Sequence, residues 1–258
     1  MNDALRFEWT RLRTLRSTYA LIGSALVLNA AIALLVAYAT RHETPVHDVV
    51  VAVVTGGGAN APVPLAVVFL AVLGIFASGH EYRYGTIQPT LTTVPQRVRL
   101  FTAKLLVVAT TALVVTAASI VLNIAATLPF WERPPSLSDV TVPGYLLLAV
   151  LWSVLGVALG QLLRGVPGAL VVILVTPMIV EQLIFRLSFV PALDWLAPAV
   201  KFLPFTDGLQ LISAAGETSG GSADEVDLFT RWPSAAVFML FVAAVVVIAG
   251  TLFKRRDA

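Results

Sequence analysis

The residues of this chain that could do chemistry are few and widely spaced. Its three histidines are His42, His47 and His80, and none belongs to the His-Glu-x-x-His pattern by which a helix binds catalytic zinc. None of its three lysines follows a glycine, so the Gly-Lys-Ser/Thr signature of a phosphate-binding P-loop is absent. The chain has no cysteine, which excludes disulfides and thiolate chemistry. We therefore predict no catalytic residue, no metal site and no cofactor site in this chain.

An intramembrane enzyme is an alternative that the serines would have to support. A nucleophilic serine needs a general base within reach. Ser119 and Ser153 lie in long apolar segments, and no histidine or lysine deep in such a segment is available to either of them. The sequence therefore argues against hydrolytic chemistry inside the membrane.

Three polar residues lie deep in the apolar segments. Glu181 is the one ionisable residue well inside such a segment, and an acid in the membrane is a functional-site hypothesis because it costs several kcal/mol facing lipid. The alternative is that this segment ends early and that Glu181 is wetted at the outer surface near Arg186. Asn29 and Asn123 are of a type that more often pairs helices than binds substrate.

The elements that position these residues are apolar helices. The chain has 258 residues, of which 58% are hydrophobic and 12% charged, whereas soluble domains are about 25% charged. A membrane-spanning helix needs about 20 mostly apolar residues. We therefore predict an all-α polytopic membrane protein with six transmembrane helices. The predicted spans cover about 18–39, 62–79, 101–128, 143–163, 167–185 and 234–253.

The distribution of basic residues predicts the orientation. With both termini in the cytoplasm, twelve of the 17 Lys and Arg residues lie on cytoplasmic segments and five on outer segments, as the positive-inside rule requires. The excess of Arg over Lys, 14 to 3, is typical of GC-rich bacterial genomes. We expect a multi-pass protein of a bacterial cytoplasmic membrane with both termini inside.

Two segments outside the spans have their own character. Residues 1–17 predict an interfacial helix with an apolar arc that includes Leu5, Trp9 and Leu12, and with arginines turned toward anionic lipid. Residues 186–233 form an outer loop whose first half is apolar but broken by prolines. Short re-entrant or interfacial helices shielded by protein suit that pattern.

The polar connector between the second and third spans, residues 80–104, carries an ordered set of residues. It reads Glu81-Tyr82-Arg83-Tyr84-Gly85-Thr86, then Leu91, then Pro95, Arg97 and Arg99, and ends in Ala103-Lys104. This order resembles the first cytoplasmic loop of the permease subunits of type-2 ABC exporters (the ABC-2 family). That loop reads Glu-x-x-x-Gly-Thr, a leucine-bearing helical turn, Pro-x-x-Arg and Ala-Lys. The elbow helix, the six spans and the re-entrant segment resemble the same family.

The resemblance implies a permease subunit of an ATP-driven exporter for a lipid, an amphipathic drug or a hydrophobic peptide. Two copies of a separate ATPase would hold ATP and Mg²⁺. A second permease copy or a paralogue would complete the pathway through spans two and five, within the membrane lipids and without nucleic acid. The implied ATPase-coupling residues are Glu81, Tyr82, Arg83, Gly85, Thr86, Leu91, Pro95 and Arg97. Candidate pathway residues are Asn29, Asn123 and Glu181.

One residue of the connector, Pro89, departs from the family pattern. A proline after Gln88 disfavours helical backbone there and puts the length of the coupling helix in question.

The main alternative function is a stand-alone ion-coupled carrier. Such a carrier needs paired intramembrane charges and an inverted repeat, whereas the sequence has one such acid and no repeat.

Overall fold

The computed structural model describes residues 2–42, 47–57, 63–93, 96–131, 141–213 and 228–255. Regular structure in these ranges is helical throughout, without a strand. Six helices are long and apolar enough to cross a membrane, which confirms the predicted all-α polytopic fold. They cover Arg16–Ala39, Leu65–Arg83, Arg97–Thr127, Thr141–Leu162, Val166–Leu187 and Arg231–Arg255.

The first five helices of the chain alternate between long and short elements. They are α1 (Asn2–Thr14), α2 (Arg16–Ala39), α3 (His47–Thr55), α4 (Leu65–Arg83) and α5 (Ile87–Thr93). Two long helices follow, α6 (Arg97–Thr127) and α7 (Thr141–Leu162). The remaining helices are α8 (Val166–Val175), α9 (Glu181–Leu187), α10 (Ala197–Val200), α11 (Pro204–Gln210) and α12 (Arg231–Arg255).

The second and third spans differ from their predicted bounds, and the connector between them is correspondingly shorter. Helix α4 continues to Arg83 instead of ending at residue 79, and α6 begins at Arg97 instead of residue 101. Both ends of the predicted connector 80–104 are therefore helical. Hydropathy ended the second span at residue 79, before Glu81, and began the third at residue 101, but Glu81 pairs with Lys104 inside the bundle.

Helices α4 and α7 form the centre of the bundle. Gly74 of α4 lies against the Ser153 carbonyl of α7, and Gly156 of α7 lies against the Ala71 carbonyl of α4, so that an added Cβ would collide with backbone at either glycine. Small residues at a helix contact let two backbones approach closely in a membrane. Span two thus lies mostly inside the protomer, and before its last turn its half-buried residues are Val68, Phe69, Val72 and Phe76.

Exposed aromatic residues on α2 mark the thickness of the apolar layer. Tyr19 near the start of α2 and Tyr38 near its end are 60% and 53% exposed. They are 19 residues apart, which is about 28 Å along a helix and close to the thickness of a bilayer core. Tyrosine favours the interface at each side of a membrane. The two tyrosines therefore place α2 across the layer with Arg16 just outside one boundary.

The described ends of the chain lie at the same end of the bundle. Lys104 near the start of α6 contacts Glu8 of α1, and Arg97 donates a hydrogen bond to the Phe253 carbonyl near the end of α12. Arg83, Arg164 and Lys254 lie at this end as well, where α4, α7 and α12 finish. We call it the basic end.

The fifth span is not a regular helix. Five residues, Thr176–Val180, form a π-helical turn between α8 and α9, and Pro177 lies in that turn. Proline removes a backbone donor, and π-turns accommodate such a break. After α9 the predicted outer loop 186–233 contains the short helical segment Pro191–Leu196 and then α10 and α11, while its residues 214–227 lie outside the described ranges.

We predict that Gly156→Ala destabilises the bundle by about 1–3 kcal/mol, because the new methyl group would force α4 and α7 apart. The matched control is Gly23→Ala in α2, where no atom lies within 4 Å of an added Cβ. Alanine favours a helix over glycine, so the control is neutral or stabilising by up to about 1 kcal/mol. Thermal unfolding in detergent compares the two, and equal effects would refute the close contact.

Candidate functional site

The connector at the basic end begins with a turn that requires glycine. Gly85 follows α4 with φ +66°, in the left-handed region that glycine enters without penalty. The Gly85 amide donates to the Tyr82 carbonyl at 3.4 Å and the Thr86 amide donates to the Glu81 carbonyl at 2.9 Å. This pair of bonds is a Schellman motif, which ends a helix and satisfies its last carbonyls. The motif fixes the direction in which the chain leaves α4.

Helix α5 follows at once and accommodates Pro89 in its first turn. Ile87 begins the helix, so Pro89 is its third residue. The amides of the first turn have no helical carbonyl to which they could donate, so the amide proton that proline lacks costs no helical hydrogen bond. Thr90 donates from its hydroxyl to the Thr86 carbonyl at 2.8 Å. Pro89 therefore does not prevent a helix in the connector, although α5 has only seven residues.

The connector exposes one polar surface at the basic end. Ile87 and Thr90 are buried and anchor α5 against the bundle. The residues between them and just before them face outward. We call Arg83, Tyr84, Thr86, Gln88 and Pro89 the connector surface, since all five are exposed.

The structure separates the sequence-predicted coupling residues into an exposed group and an internal group. Arg83, Gly85 and Thr86 are exposed, whereas Glu81 is 1% exposed and points into the chain. Glu81 therefore is not a surface residue of the connector in this structure. The side chain of Leu91 and all of Pro95 lie outside the described residues.

Tyr82 and Arg97 are half-buried and tie the connector's flanks to other helices. The Gln161 amide of α7 donates to the Tyr82 hydroxyl. Arg97 donates to the Phe253 carbonyl at 3.2 Å, beside the Phe253 ring. Both ends of the connector are thus fixed to the bundle, so the connector surface is held on a rigid base.

Four charged side chains meet beneath the connector, and we call them the charge cluster. They are Glu8 and Arg11 of α1, Glu81 of α4 and Lys104 of α6. The Lys104 ammonium lies 2.8 Å from a Glu8 carboxylate oxygen and 2.6 Å from a Glu81 oxygen. Arg11 pairs with the same Glu81 oxygen and lies 3.3 Å from Glu8. Two acids and two bases make the cluster neutral.

Backbone contacts complete the charge cluster. Lys104 donates to the Ala77 carbonyl at 3.3 Å, and Arg11 donates to the same carbonyl at 3.1 Å. Burial raises the pKa of the Glu8 carboxyl, although the Lys104 ammonium and the Arg11 guanidinium oppose the shift. Breaking a buried pair leaves an uncompensated charge and costs about 3–5 kcal/mol. The cluster therefore fixes α1 to α4 and α6.

Sequence reasoning did not find Glu8 and Arg11 as partners of Glu81. It placed the membrane-facing side of α1 along the arc of Leu5, Trp9 and Leu12. In the structure the buried stripe of α1 is Ala4, Glu8 and Leu12, and Trp9 is exposed. These three residues are spaced four apart and therefore share one face of the helix. An acid between two small or apolar residues on one face indicates a buried partner, and this pattern was the available signal for the charge cluster.

Asn29 lies at a helix contact midway along α2, and Asn123 lies at one near the end of α6 opposite the charge cluster. Asn29 donates to the Ser119 hydroxyl at 2.8 Å and to the Tyr145 hydroxyl at 3.2 Å. Asn123 donates to the Val53 and Val54 carbonyls at 3.1 and 3.2 Å, near the end of α3. Both asparagines are fully buried in the chain. They join helices here, and a role in a translocation pathway stays a prediction.

Glu181 is neither turned to lipid nor wetted. It is buried, and its carboxylate accepts hydrogen bonds from the first residues of α11. The Phe205 amide lies at 3.0 Å, the Thr206 amide at 2.6 Å and the Thr206 hydroxyl at 2.8 Å. Glu181 thus satisfies amides that would otherwise be unpaired at the helix start. It holds α11 to the fifth span just after the π-turn.

Asp207 lies one residue beyond this contact and is also buried. It is 1% exposed. Burial raises the pKa of Asp207 to about 6, since a hydrogen bond with the Ser234 hydroxyl opposes the shift only in part and the Glu181 carboxylate adds to it. Two carboxyl groups therefore lie near each other at the end of the bundle opposite the charge cluster.

We predict that Lys104→Met destabilises the protein by about 3–5 kcal/mol, because it leaves Glu8 and Glu81 buried with Arg11 alone. The measurement is thermal or denaturant unfolding in detergent. The double variant Lys104→Met, Glu8→Gln removes one charge of each sign and should regain part of the loss. If the two substitutions are additive, the side chains are not coupled and the cluster does not stabilise the fold.

We predict that Asp207→Asn flattens the pH dependence of stability. Because the folded pKa is raised, the folded protein binds a proton that the unfolded chain does not, so wild-type stability falls as pH rises from about 4 to 6. The loss of unfolding free energy from ionising this buried carboxyl is complete above about pH 6 and amounts to about 2–3 kcal/mol. The variant should therefore unfold at a higher temperature than wild type at pH 8. Asp48→Asn, at an exposed position of α3, is the control.

Comparison with protein families and with curated sequences adds no relative. No family model matches this chain, and no curated protein matches its sequence. The resemblance to type-2 ABC permeases therefore depends on the connector residues and on the arrangement of helices, and the function is a matter for proposal.

Proposed function

We propose that this chain is the permease subunit of a type-2 ABC exporter and that the connector surface is its contact with a separate ATPase. The observation that carries the proposal is the short helix α5, placed between spans two and three at the arginine-rich end. Together with the end of α4 and the turn before it, this helix presents the connector surface, Arg83, Tyr84, Thr86, Gln88 and Pro89, outward. The positive-inside rule predicts that this end lies in the cytoplasm. A separate ATPase would bind ATP on that side of the membrane.

The contacts behind the connector support this proposal. Transmitting an ATPase movement to membrane helices needs an element that does not bend under load. Tyr82 is bonded to α7 and Arg97 to α12, and the charge cluster joins the end of α4 to α1 and α6. A displacement of α5 would therefore move several helices together. In this proposal Glu81 transmits force within the permease and does not itself contact the ATPase.

The assembly would contain two permease chains and two ATPases in a bacterial cytoplasmic membrane, with both permease termini inside. The ATPases would bind ATP and Mg²⁺. Span five leaves apolar residues exposed for a second permease, including Val171, Met178, Ile179 and Leu183, whereas span two contributes only its half-buried stripe. The apolar spans favour a lipid, an amphipathic drug or a hydrophobic peptide as substrate.

One observation favours an ion-coupled carrier as the second candidate. Helix α3 ends inside the bundle, where Asn123 and Tyr145 bond its last carbonyls. Carriers often bind their coupling ion at the ends of such interrupted helices. This candidate requires transport driven by an ion gradient without any ATPase.

We predict that the double variant Arg83→Glu, Gln88→Glu weakens binding of the partner ATPase at least about tenfold, because reversed and added charge on a docking surface disfavours association. The measurement is co-purification with candidate P-loop ATPases, beginning with any encoded beside this chain, and permease-stimulated ATP hydrolysis. Arg186→Glu, an exposed arginine at the opposite end, is the matched control. Retained binding and stimulation in the double variant would overturn the docking proposal. Ion-driven uptake by the chain alone would favour the carrier.

A further inference from the structure

The outward face of α1 is basic and aromatic. Helix α1 packs through Ala4, Glu8 and Leu12, so the residues half a turn away point away from the bundle. Arg6, Trp9 and Arg13 lie on that face at spacings of three and four residues, which brings their side chains together. Trp9 is 46% exposed and both arginines are exposed.

Helix α1 lies beside the bundle at the level of the membrane boundary. Glu8, Leu12, Ser17, Leu73 and Ala77 line one small cavity, so α1 is level with the start of α2 and with the last turns of α4. Tyr19 marks the boundary of the apolar layer just beyond Ser17. The outward face of α1 is therefore directed sideways, into the layer where lipid headgroups lie, and not only toward bulk water.

The arginines on this side have no acidic partner within the described ranges. Arg6, Arg13 and Arg16 form no ion pair with a carboxylate in the part of the chain that the structure describes. Asp3 is on α1 three residues before Arg6 and is exposed, but the two are not paired. Arg11 alone turns inward, to the charge cluster. These three exposed cations are therefore available to anions from outside the chain.

We propose that Arg6, Trp9, Arg13 and Arg16 bind the phosphate groups of anionic phospholipids in the leaflet at the basic end. A guanidinium offers two parallel donors to a phosphate, and an indole ring favours the boundary between headgroups and chains. Each basic side chain near an anionic surface adds to the attraction. The lipid-facing side is thus the arginine–tryptophan face, and the arc of Leu5 and Leu12 faces protein instead.

Lipid binding would also stabilise the docked position of α1. A ligand that binds only the folded state raises its stability in proportion to its concentration relative to the dissociation constant. The face opposite the lipid carries Glu8 into the charge cluster, so anionic lipid and the cluster favour the same placement of α1. This inference does not depend on the exporter proposal, because it concerns lipid and the isolated chain.

The experiment measures the unfolding temperature of the full chain in neutral detergent while phosphatidylglycerol or phosphatidylcholine is added. We expect phosphatidylglycerol, and not phosphatidylcholine, to raise the unfolding temperature, and the rise should saturate with lipid concentration. The triple variant Arg6→Gln, Arg13→Gln, Arg16→Gln should weaken the apparent affinity at least about tenfold. The triple variant Arg99→Gln, Lys254→Gln, Arg255→Gln removes the same charge from exposed positions elsewhere at the basic end and should stay within about twofold of wild type.

Several results would overturn the proposal. Unchanged affinity in the first triple variant, or equal losses in both triple variants, would mean that no local site exists. An equal effect of soluble glycerol phosphate would identify an anion site without a lipid requirement. As a second measurement, brominated phosphatidylglycerol in nanodiscs should quench wild-type tryptophan fluorescence more than that of Trp9→Phe, and equal quenching would contradict the placement of Trp9 at the headgroups.

Discussion

The placement of α1, α4 and α6 at the basic end depends on the neutrality of the charge cluster. Glu8, Arg11, Glu81 and Lys104 are drawn from three helices, and each would be prohibitively costly to bury alone. Together they satisfy one another only when α1, α4 and α6 are in one register. A cluster of this kind permits few alternative arrangements, because a shift of one residue on any helix would separate opposite charges in a medium of low dielectric.

The same neutrality explains why the connector is short. Because Glu81 and Lys104 are paired, α4 and α6 can each extend beyond the apolar part of their sequence. The remaining residues must reverse the chain within a short distance, which the Schellman motif at Gly85 accomplishes. Helix α5 is what fits between the two ends. Its exposed polar surface is thus a consequence of the buried charges, whichever partner contacts it.

Hydropathy and charge counts predicted the six spans, since spanning helices must satisfy these rules whatever their neighbours are. What could not be predicted were contacts between residues far apart in sequence. Glu8 and Lys104 are separated by 96 residues, and no local pattern pairs them. Likewise, nothing beside Glu181 indicates that its partners are the amides of α11. The sequence predicted that Glu81 contacts an ATPase, because its internal neutralising partners depend on tertiary structure and leave no local pattern.

The two ends of the bundle are held by interactions of different strength, and this difference bears on how movement could pass through it. At the basic end one neutral group of charges joins three helices, so they respond as a unit. At the opposite end hydrogen bonds alone hold each short helix: Asn123 and Tyr145 bond the last carbonyls of α3, and the Glu181 carboxylate accepts three hydrogen bonds from α11. Each neutral hydrogen bond to α3 contributes only about 0.5–1.5 kcal/mol net, and the π-turn at Pro177 already interrupts the fifth span beside Glu181. A rigid displacement applied at α5 would therefore change the contacts of α3 and α11 before it disrupts the charge cluster.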